Sequence, residues 1–360
     1  MTTVLHTESS TGWGGQEVRI LAEACWLREA GLRALLAGQP GSPILSRARQ
    51  AGIEAIAVRM RAAWDPVAVK TLTAAIRREG ITLIHTHSSV DAWLGGMAGR
   101  LARIPVVRSR HVSIPVRRGW NPVYSILAHR IVTSGEAIRQ LLLAAGVNPA
   151  KVVTIPAGVD LDEFCPGAEG QRIRGEFSLT PPVIGSVAMF RGSKGHPHLL
   201  EAFTMVRREF PEASLLLVGD GVRRASVEQL VADHGLGEAV RMTGFRHDVP
   251  NLLRAMDCFV LASTRTEGVS QSLLQALATE LPVVASAIGG IPEVIDHEVT
   301  GLLVPPGAAG PLAEGILTTL KDPEPAKRRA KAGRQRVEMG YSRATATRRL
   351  TTLYGELLDQ

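Results

Sequence analysis

Aromatic residues make up only 4% of the 360-residue chain, and cysteine occurs three times, at Cys25, Cys165 and Cys258. An odd, widely spaced trio without a CxxC pair offers neither a disulfide framework nor a structural zinc site. Scarce aromatics, with no RNP, zinc-finger or basic-zipper pattern, argue against a nucleic-acid partner. No apolar run approaches the ~20 residues that a bilayer span needs. The opening MTTVLHTESSTGWGG has no basic stretch leading into an apolar one, so no secretory signal is expected. A soluble, reducing, cytoplasmic setting is the expectation. The 36 glycines and 21 prolines follow no three-residue period, which excludes a collagen-like chain. What is present is a 45% hydrophobic, 21% charged composition that can bury a core, over a length suited to two domains.

Acid is missing from one long stretch. Residues 1–165 hold 19 Lys/Arg against 12 Asp/Glu, whereas residues 166–360 hold 22 of each, so the net charge of +7 belongs to the first half. Between Ala92 and Gly135 there are seven arginines (Arg100, Arg103, Arg108, Arg110, Arg117, Arg118 and Arg130) and no acid. Such a stretch reads either as a solvated basic face or as a surface for an anionic substrate or anionic lipid headgroups.

Short apolar runs alternate with helix-length amphipathic stretches. The spacing predicts strands at Thr3–His6, Ala34–Gly38, Ile53–Val58, Thr82–Thr86, Val106–Ser109, Arg130–Thr133 and Val152–Ile155. A linker is expected near Cys165–Pro182, and the rhythm restarts with Val183–Val187, Ser214–Val218, Val240–Thr243, Cys258–Leu261, Pro282–Ser286 and Leu302–Val304. Helices such as Gln16–Glu29 and Ser272–Thr279 fall between the strands, and the tail from Pro323 reads as a packing helix pair. This βαβ rhythm predicts two doubly wound parallel sheets, whose ligands sit beyond the carboxyl ends of the strands. Two such sheets facing one another create a cleft.

The loop after the first strand is Thr11-Gly12-Trp13-Gly14-Gly15-Gln16-Glu17. Glycines at a strand–helix junction let backbone approach a ligand, and the helix start favours an anion. It is not GxGxxG, and no acidic residue ends a second strand about 20 positions on, which argues against a dinucleotide. In the second half, Met189-Phe190-Arg191-Gly192-Ser193-Lys194-Gly195-His196 opens a helix with two cations and flexible glycines, which suits a pyrophosphate. Further on, Glu267 stands at a strand–helix junction, Gly268, Val269, Ser270 and Ser272 would aim free N–H groups at an anion, and Gln275 lies two turns along the helix. The HxH pairs His85/His87 and His196/His198 are expected to pack rather than bind metal. Asp160-Leu161-Asp162 precedes the linker and is read as structural.

The segment Glu267–Gln275 resembles the E-x7-E signature of retaining glycosyltransferases of the GT-B fold, family 4 (the group 1 glycosyltransferases). Other pieces fit in the same order: Gly14-Gly15-Gln16-Glu17, His85-Thr86-His87-Ser88-Ser89, Arg108-Ser109-Arg110-His111, Arg191…Lys194-Gly195-His196, Val218-Gly219-Asp220-Gly221, Gly244-Phe245-Arg246 and Gly289-Gly290-Ile291-Pro292-Glu293. The resemblance implies a GT-B architecture of two Rossmann-like domains. These are an acceptor-side domain over 1–165, a donor-binding domain over 166–340, and a final helix over 341–360 packing back on the first domain. It implies sugar transfer from a nucleotide-sugar donor, most commonly a UDP-sugar, to an acceptor hydroxyl with retention of configuration, without metal or other cofactor. The acceptor is expected to be a saccharide or lipid-linked glycan, anionic in character, in bacterial-type surface glycan assembly such as lipopolysaccharide, capsule or glycolipid. Peripheral contact with the cytoplasmic membrane face is expected with it.

By the same resemblance Arg191 and Lys194 hold the donor diphosphate, Glu267 faces the donor sugar, and Gln275 meets the nucleotide ribose. Gly219 and Asp220 join the donor site, Phe245 and Arg246 contact the nucleobase mostly by backbone, and His111 lies near the donor sugar. Gly14 and Gly15 lie near the donor phosphates or the acceptor. Two departures stand out: an amide at Gln275 where the family carries a second glutamate, and Met189 where many members carry arginine. They motivate an alternative reading as a non-catalytic nucleotide-sugar-binding protein or partner subunit. An epimerase or phosphorylase is a weaker third.

Overall fold

The computed structural model describes residues 2–359 apart from 115, 117, 118, 120, 168 and 266. Arg117 and Arg118 of the arginine-rich stretch, and Thr266 beside Glu267, therefore lie outside the described residues. The chain divides into two compact units, Met1–Gly158 with Arg343–Gln360, and Val159–Ser342.

The first unit carries strands Thr3–Glu8 (β1), Arg33–Gly38 (β2), Glu54–Ala57 (β3), Leu83–Thr86 (β4), Val106–Arg110 (β5), Arg130–Thr133 (β6) and Val152–Thr154 (β7). They form a parallel sheet of order β3-β2-β1-β4-β5-β6-β7. The second carries Val183–Val187 (β8), Ser214–Val218 (β9), Val240–Gly244 (β10), Cys258–Leu261 (β11), Val283–Ser286 (β12) and Leu302–Val304 (β13), parallel in the order β10-β9-β8-β11-β12-β13. Chain order reverses between β1 and β4 in one sheet and between β8 and β11 in the other. At such switch points the crossover helices leave on opposite faces, and a crevice opens beyond the strand ends.

Burial explains why the strands are readable. β4, β5, β11 and β12 are buried at every position, because helices cover both faces, while the edge strand β3 is exposed at Glu54 and Ala57. On one face of the first sheet, Val4, Leu36, Leu83 and Val107 pack with Ile20, Ala24 and Leu27. On the other, Leu5, Ile84 and Val106 pack with Leu72, Ile76, Leu94 and Ala98. In the second unit, Ile184, Leu215, Val260 and Val284 join Phe203, Val206, Leu312 and Ile316 in one core.

The segment expected as a linker contains the helix Gly170–Glu176. Ile173 is buried, a Cβ at Gly170 would lie 2.2 Å from the Arg254 carbonyl oxygen, and Arg174 bonds the carbonyl of Ala255 and the carboxylate of Asp257. Polar, glycine-bearing sequence looks like a linker, but this stretch is tied down by contacts far along the chain. The tail forms two helices, Pro323–Gly340 and Arg343–Leu358. The second places Leu350, Leu353, Tyr354 and Leu357, at helical spacing, against Ile20, Ala24 and Leu27 of the first unit. Val159 pairs with Ser342 and donates its N–H to the Tyr341 carbonyl, so the chain enters and leaves the second unit side by side.

Candidate active site

In the second unit the loops after β8 and β11 meet at the switch point. Residues Gly192–Lys194 make one 3-10 turn leading into the helix His196–Glu209. Gly195 joins them with φ of +69°, and a Cβ there would sit 1.8 Å from the Ala262 carbonyl oxygen. Only glycine fits that approach. Thr264 N–H donates to the Ser193 carbonyl at 2.9 Å, which fastens the loop to the end of β11. The clamp brings Lys194 Nζ onto Glu267 Oε1 in an ion pair, while Ser263 Oγ donates to Glu267 Oε2 at 2.5 Å. Both side chains keep about a fifth of their surface exposed, 20% and 19%. A cation suited to a departing diphosphate and a carboxylate suited to a sugar are thus side by side.

Gly289 and Gly290 support the Glu267 loop from behind. Gly290 N–H donates to the Glu267 carbonyl at 2.8 Å, and a Cβ at Gly289 (φ +60°) would lie 2.2 Å from that same oxygen. Gly268, Val269 and Ser270 are buried beneath it, leading into the helix Gln271–Ala278. Ser270 takes the N-cap position without capping through its side chain, and its Oγ lies 3.2 Å from Ser272 Oγ. Gln275 is half-buried farther along this helix.

The neighbouring loops after β9 and β10 are stitched through backbone. Gly219 (φ +137°) donates to the Gly244 carbonyl at 3.1 Å, and Phe190 N–H donates to the Asp220 carbonyl at 2.9 Å. Asp220 Oδ1 accepts the N–H of Gly221 at 2.7 Å. Phe245 is exposed and packs edge-on to His247. The Arg246 guanidinium makes two 2.8 Å bonds to Asp248 and pairs with Glu176, so its side chain is committed within its own unit. Arg191 is exposed on the loop after β8.

In the first unit Gly14 is the N-cap of the helix Gly15–Glu29 and donates its N–H to Glu17 Oε2 at 2.8 Å. A Cβ at Gly15 would meet nothing within 4 Å, so packing does not require glycine there. Strand alternation puts His6, His85, His87, Ser109 and His111 on one face at the carboxyl ends of β1, β4 and β5. His6 Nδ1 lies 2.9 Å from His87 Nε2, and His87 Nδ1 lies 3.0 Å from His111 Nε2. His85 bonds Tyr354 OH at 2.6 Å and Ser109 Oγ at 2.8 Å. His6, His85 and His87 bring ring nitrogens within 4.8 Å of one another. Yet both nitrogens of His85 and of His87 already have partners, and Arg19 and Arg108 add positive charge nearby. Burial holds the His6 ring neutral, its pKa lowered to about 4, and pushes His85, His87 and His111 well below the ordinary histidine value.

Two carboxylates near these strand ends escape sequence reasoning. Asp91 is fully buried and accepts hydrogen bonds from Thr7 Oγ1 and from the N–H groups of His87 and Ser88. Glu8, equally buried, accepts from Ser10 N–H at 2.8 Å and Gln16 Nε2 at 2.5 Å. Burial, reinforced by the charge of Asp91, raises the Glu8 pKa to about 7. Its place two residues after His6 on the same strand face was the available signal.

Among the described residues, the arginines between Ala92 and Gly135 do not form one basic face. Arg108 and Arg110 are buried, because they occupy β5, which is covered on both sides. Arg108 reaches the Thr86 carbonyl, and Arg110 bonds Tyr124 OH at 2.6 Å and the Ile114 carbonyl. Arg100 and Arg103 are exposed and Arg130 is half-buried. The DxD pair is a loop device: Asp160 Oδ1 accepts the N–H of Asp162 at 3.1 Å. Among the described residues no helix is long and apolar enough to cross a membrane.

Residues 169–336 match the family described as glycosyl transferases group 1, and residues 13–163 match glycosyltransferase family 4. The chain is 29% identical to a 2-deoxystreptamine glucosyltransferase of Streptomyces kanamyceticus, over 89% of this chain and 93% of that one. It is 27% identical, over 64% of each chain, to an Escherichia coli UDP-Gal:alpha-D-GlcNAc-diphosphoundecaprenol alpha-1,3-galactosyltransferase. Anabaena HepE, solved in complex with UDP-glucose, has the same fold, with a TM-score of 0.89 at 21% identity over 99% of this chain and 100% of that one. The chain belongs to the group 1, family 4-type glycosyltransferases, and its two Rossmann-like units have the GT-B fold.

Proposed function

We propose that the protein transfers a sugar from a UDP-sugar to the hydroxyl of a saccharide or lipid-linked acceptor, retaining the anomeric configuration and using no resident metal or other cofactor. The observation that carries this reading is the Lys194–Glu267 pair, clamped at the second unit's switch point by Gly195 and Gly289. In the mechanism, Lys194, with Arg191, neutralises charge as the bond from the anomeric carbon to the diphosphate breaks. Glu267 exchanges its lysine partner for the sugar, where its charge complements an oxocarbenium-like centre. The acceptor oxygen bonds to that carbon on the face the diphosphate leaves, and the hydroxyl proton passes to the departing phosphate oxygen, giving glycoside and UDP. The N–H groups of residues 268–272 hold phosphate, Gln275 bonds ribose hydroxyls as a neutral donor and acceptor, and Gly219, Asp220, Phe245 and Arg246 frame the nucleoside. His111 donates to the donor sugar, and Gly14 and Gly15 line the acceptor side.

The acceptor is assigned to surface glycan or glycolipid assembly at the cytoplasmic membrane face, with an anionic character. Supporting this are exposed Trp64, Leu101 and Ile126 beside Lys70, Arg77 and Arg100, an apolar strip rimmed by cations. Sedimentation with phosphatidylglycerol vesicles but not phosphatidylcholine vesicles is the expected result, and equal binding removes the anionic element. For the main reading, a thermal-shift panel of UDP-, GDP- and ADP-sugars should show the largest rise with a UDP-sugar. NMR of the product should then show retained configuration; an inverted product overturns the mechanism. Gln275 favours a second reading as a nucleotide-sugar-binding subunit, which predicts ligand stabilisation with no transfer to any acceptor.

A further inference from the structure

The three rings His6, His87 and His111 form a line with a direction. They lie nearly parallel, with centroids 5.2 Å apart between His6 and His87 and 5.3 Å apart between His87 and His111, at interplanar angles of 14° and 17°. Each ring is neutral, so each has one N–H and one lone pair. Two hydrogen bonds joining three neutral imidazoles leave two arrangements. In one, His6 Nδ1–H donates to His87 Nε2, His87 Nδ1–H donates to His111 Nε2, and His111 is left with Nδ1–H. In the other every proton is reversed, and His111 is left with a lone pair at Nδ1.

His6 decides between them. It is fully buried, and its Nε2 has no hydrogen-bond partner among the described residues. The reversed arrangement would place an N–H at that buried position, where an unsatisfied donor costs about 1–3 kcal/mol. The first arrangement places only a lone pair there, and buried orphaned N–H groups are the rarer defect in folded proteins. His85 does not perturb the choice, since Tyr354 OH and Ser109 Oγ each serve as donor or acceptor.

We propose that His6 and His87 are positioning residues that fix His111 as the Nδ1–H tautomer, so that this half-buried ring presents a hydrogen-bond donor and not a base. The role for His111 at the donor sugar rests on the function proposed above; the tautomer does not. A donor there binds a sugar hydroxyl or phosphate oxygen and leaves the acceptor's proton to the diphosphate.

The test is long-range 15N–1H NMR of the full chain labelled at histidine, with His111 assigned through His111→Asn. The expected spectrum has His111 protonated at Nδ1. Protonation at Nε2 overturns the proposal. In His87→Leu the His111 signal should lose that single tautomer, and turnover should fall about 10-fold in a variant that still folds by circular dichroism, with its thermal midpoint lowered by the loss of the two ring hydrogen bonds. His87→Gln can accept from His6 through its oxygen and donate to His111 through its nitrogen, so tautomer and turnover should be rescued to within about threefold of wild type. An unchanged tautomer in His87→Leu also refutes the proposal. If the tautomer is as expected but His111→Asn turns over normally, the placement of His111 at the sugar fails while the line of rings stands.

Discussion

The two units share an architecture but build their strand ends from different materials. Around Lys194 and Glu267 the second unit uses backbone: Gly195, Gly219, Gly289 and Gly290 bring main chain to within contact of main chain, and one ion pair lies among them. The first unit uses side chains, with His6, His85, His87, Glu8 and Asp91 buried and hydrogen-bonded at the ends of β1 and β4. Backbone loops suit a ligand common to a whole family, because every residue type supplies the same N–H group. A glycine-built site is vulnerable to added volume, and a histidine-built one to protons.

The largest effect that separates the units is expected in acid. Four rings of the first unit have folded pKa values below the unfolded value near 6.5, so below that pH the unfolded chain binds protons that the folded one refuses. Stability is therefore lost as pH falls from about 6.5 towards 4, each fully depressed ring contributing up to about 1.4 kcal/mol per pH unit. Glu8 has the opposite sense. Its raised pKa makes it neutral in the fold, and stability falls as pH rises through about 7. Urea midpoints across pH should peak at about pH 6.5, because the Glu8 loss runs from about 4.5 to about 7 beneath the larger histidine gain; Glu8→Gln should remove the fall above that peak and steepen the acid limb. A wild-type profile level from pH 4.5 to 6.5 would show that the rings are not held neutral.

Next in size is catalysis. Lys194→Ala and Glu267→Ala should each lower turnover by at least about 100-fold, with folding intact by circular dichroism. Near-normal rates in both would remove this pair from the site. Smaller is the steric contrast. Gly195→Ala drives a Cβ towards the Ala262 carbonyl at positive φ and should cost about 2–4 kcal/mol in denaturant melts. Gly15→Ala, with open space around it, should cost under about 1 kcal/mol while still altering substrate affinity. Equal costs would contradict the backbone-built description of the second unit. The smallest change is expected from Gln275→Glu, which exchanges an amide for a carboxylate at a half-buried position and should shift UDP affinity by less than about 10-fold, read by calorimetry.

Much of this was legible in the chain itself. The strands of both sheets were legible as short runs rich in apolar residues, most clearly in β9, β11 and β12, which are buried on both faces. The loop after β8 and the Glu267 segment were legible too, since only glycine tolerates the close approaches at Gly195 and Gly289. The helix Gly170–Glu176 was hidden, because the contacts that order it lie near Arg254. The burial of Arg108 and Arg110 was hidden for a related reason: their charge reads as surface, and only a covered β5 turns them inward.

Composition and local pattern fixed what each short segment would become, because backbone propensity and the alternation of faces act within a few residues. Tertiary structure alone decided which distant groups would touch. His6 and His87 are 81 positions apart and His85 and Tyr354 are 269 apart. The register of three strands and one returning helix brings them together and removes the water that would otherwise let them take up protons below about pH 6.5.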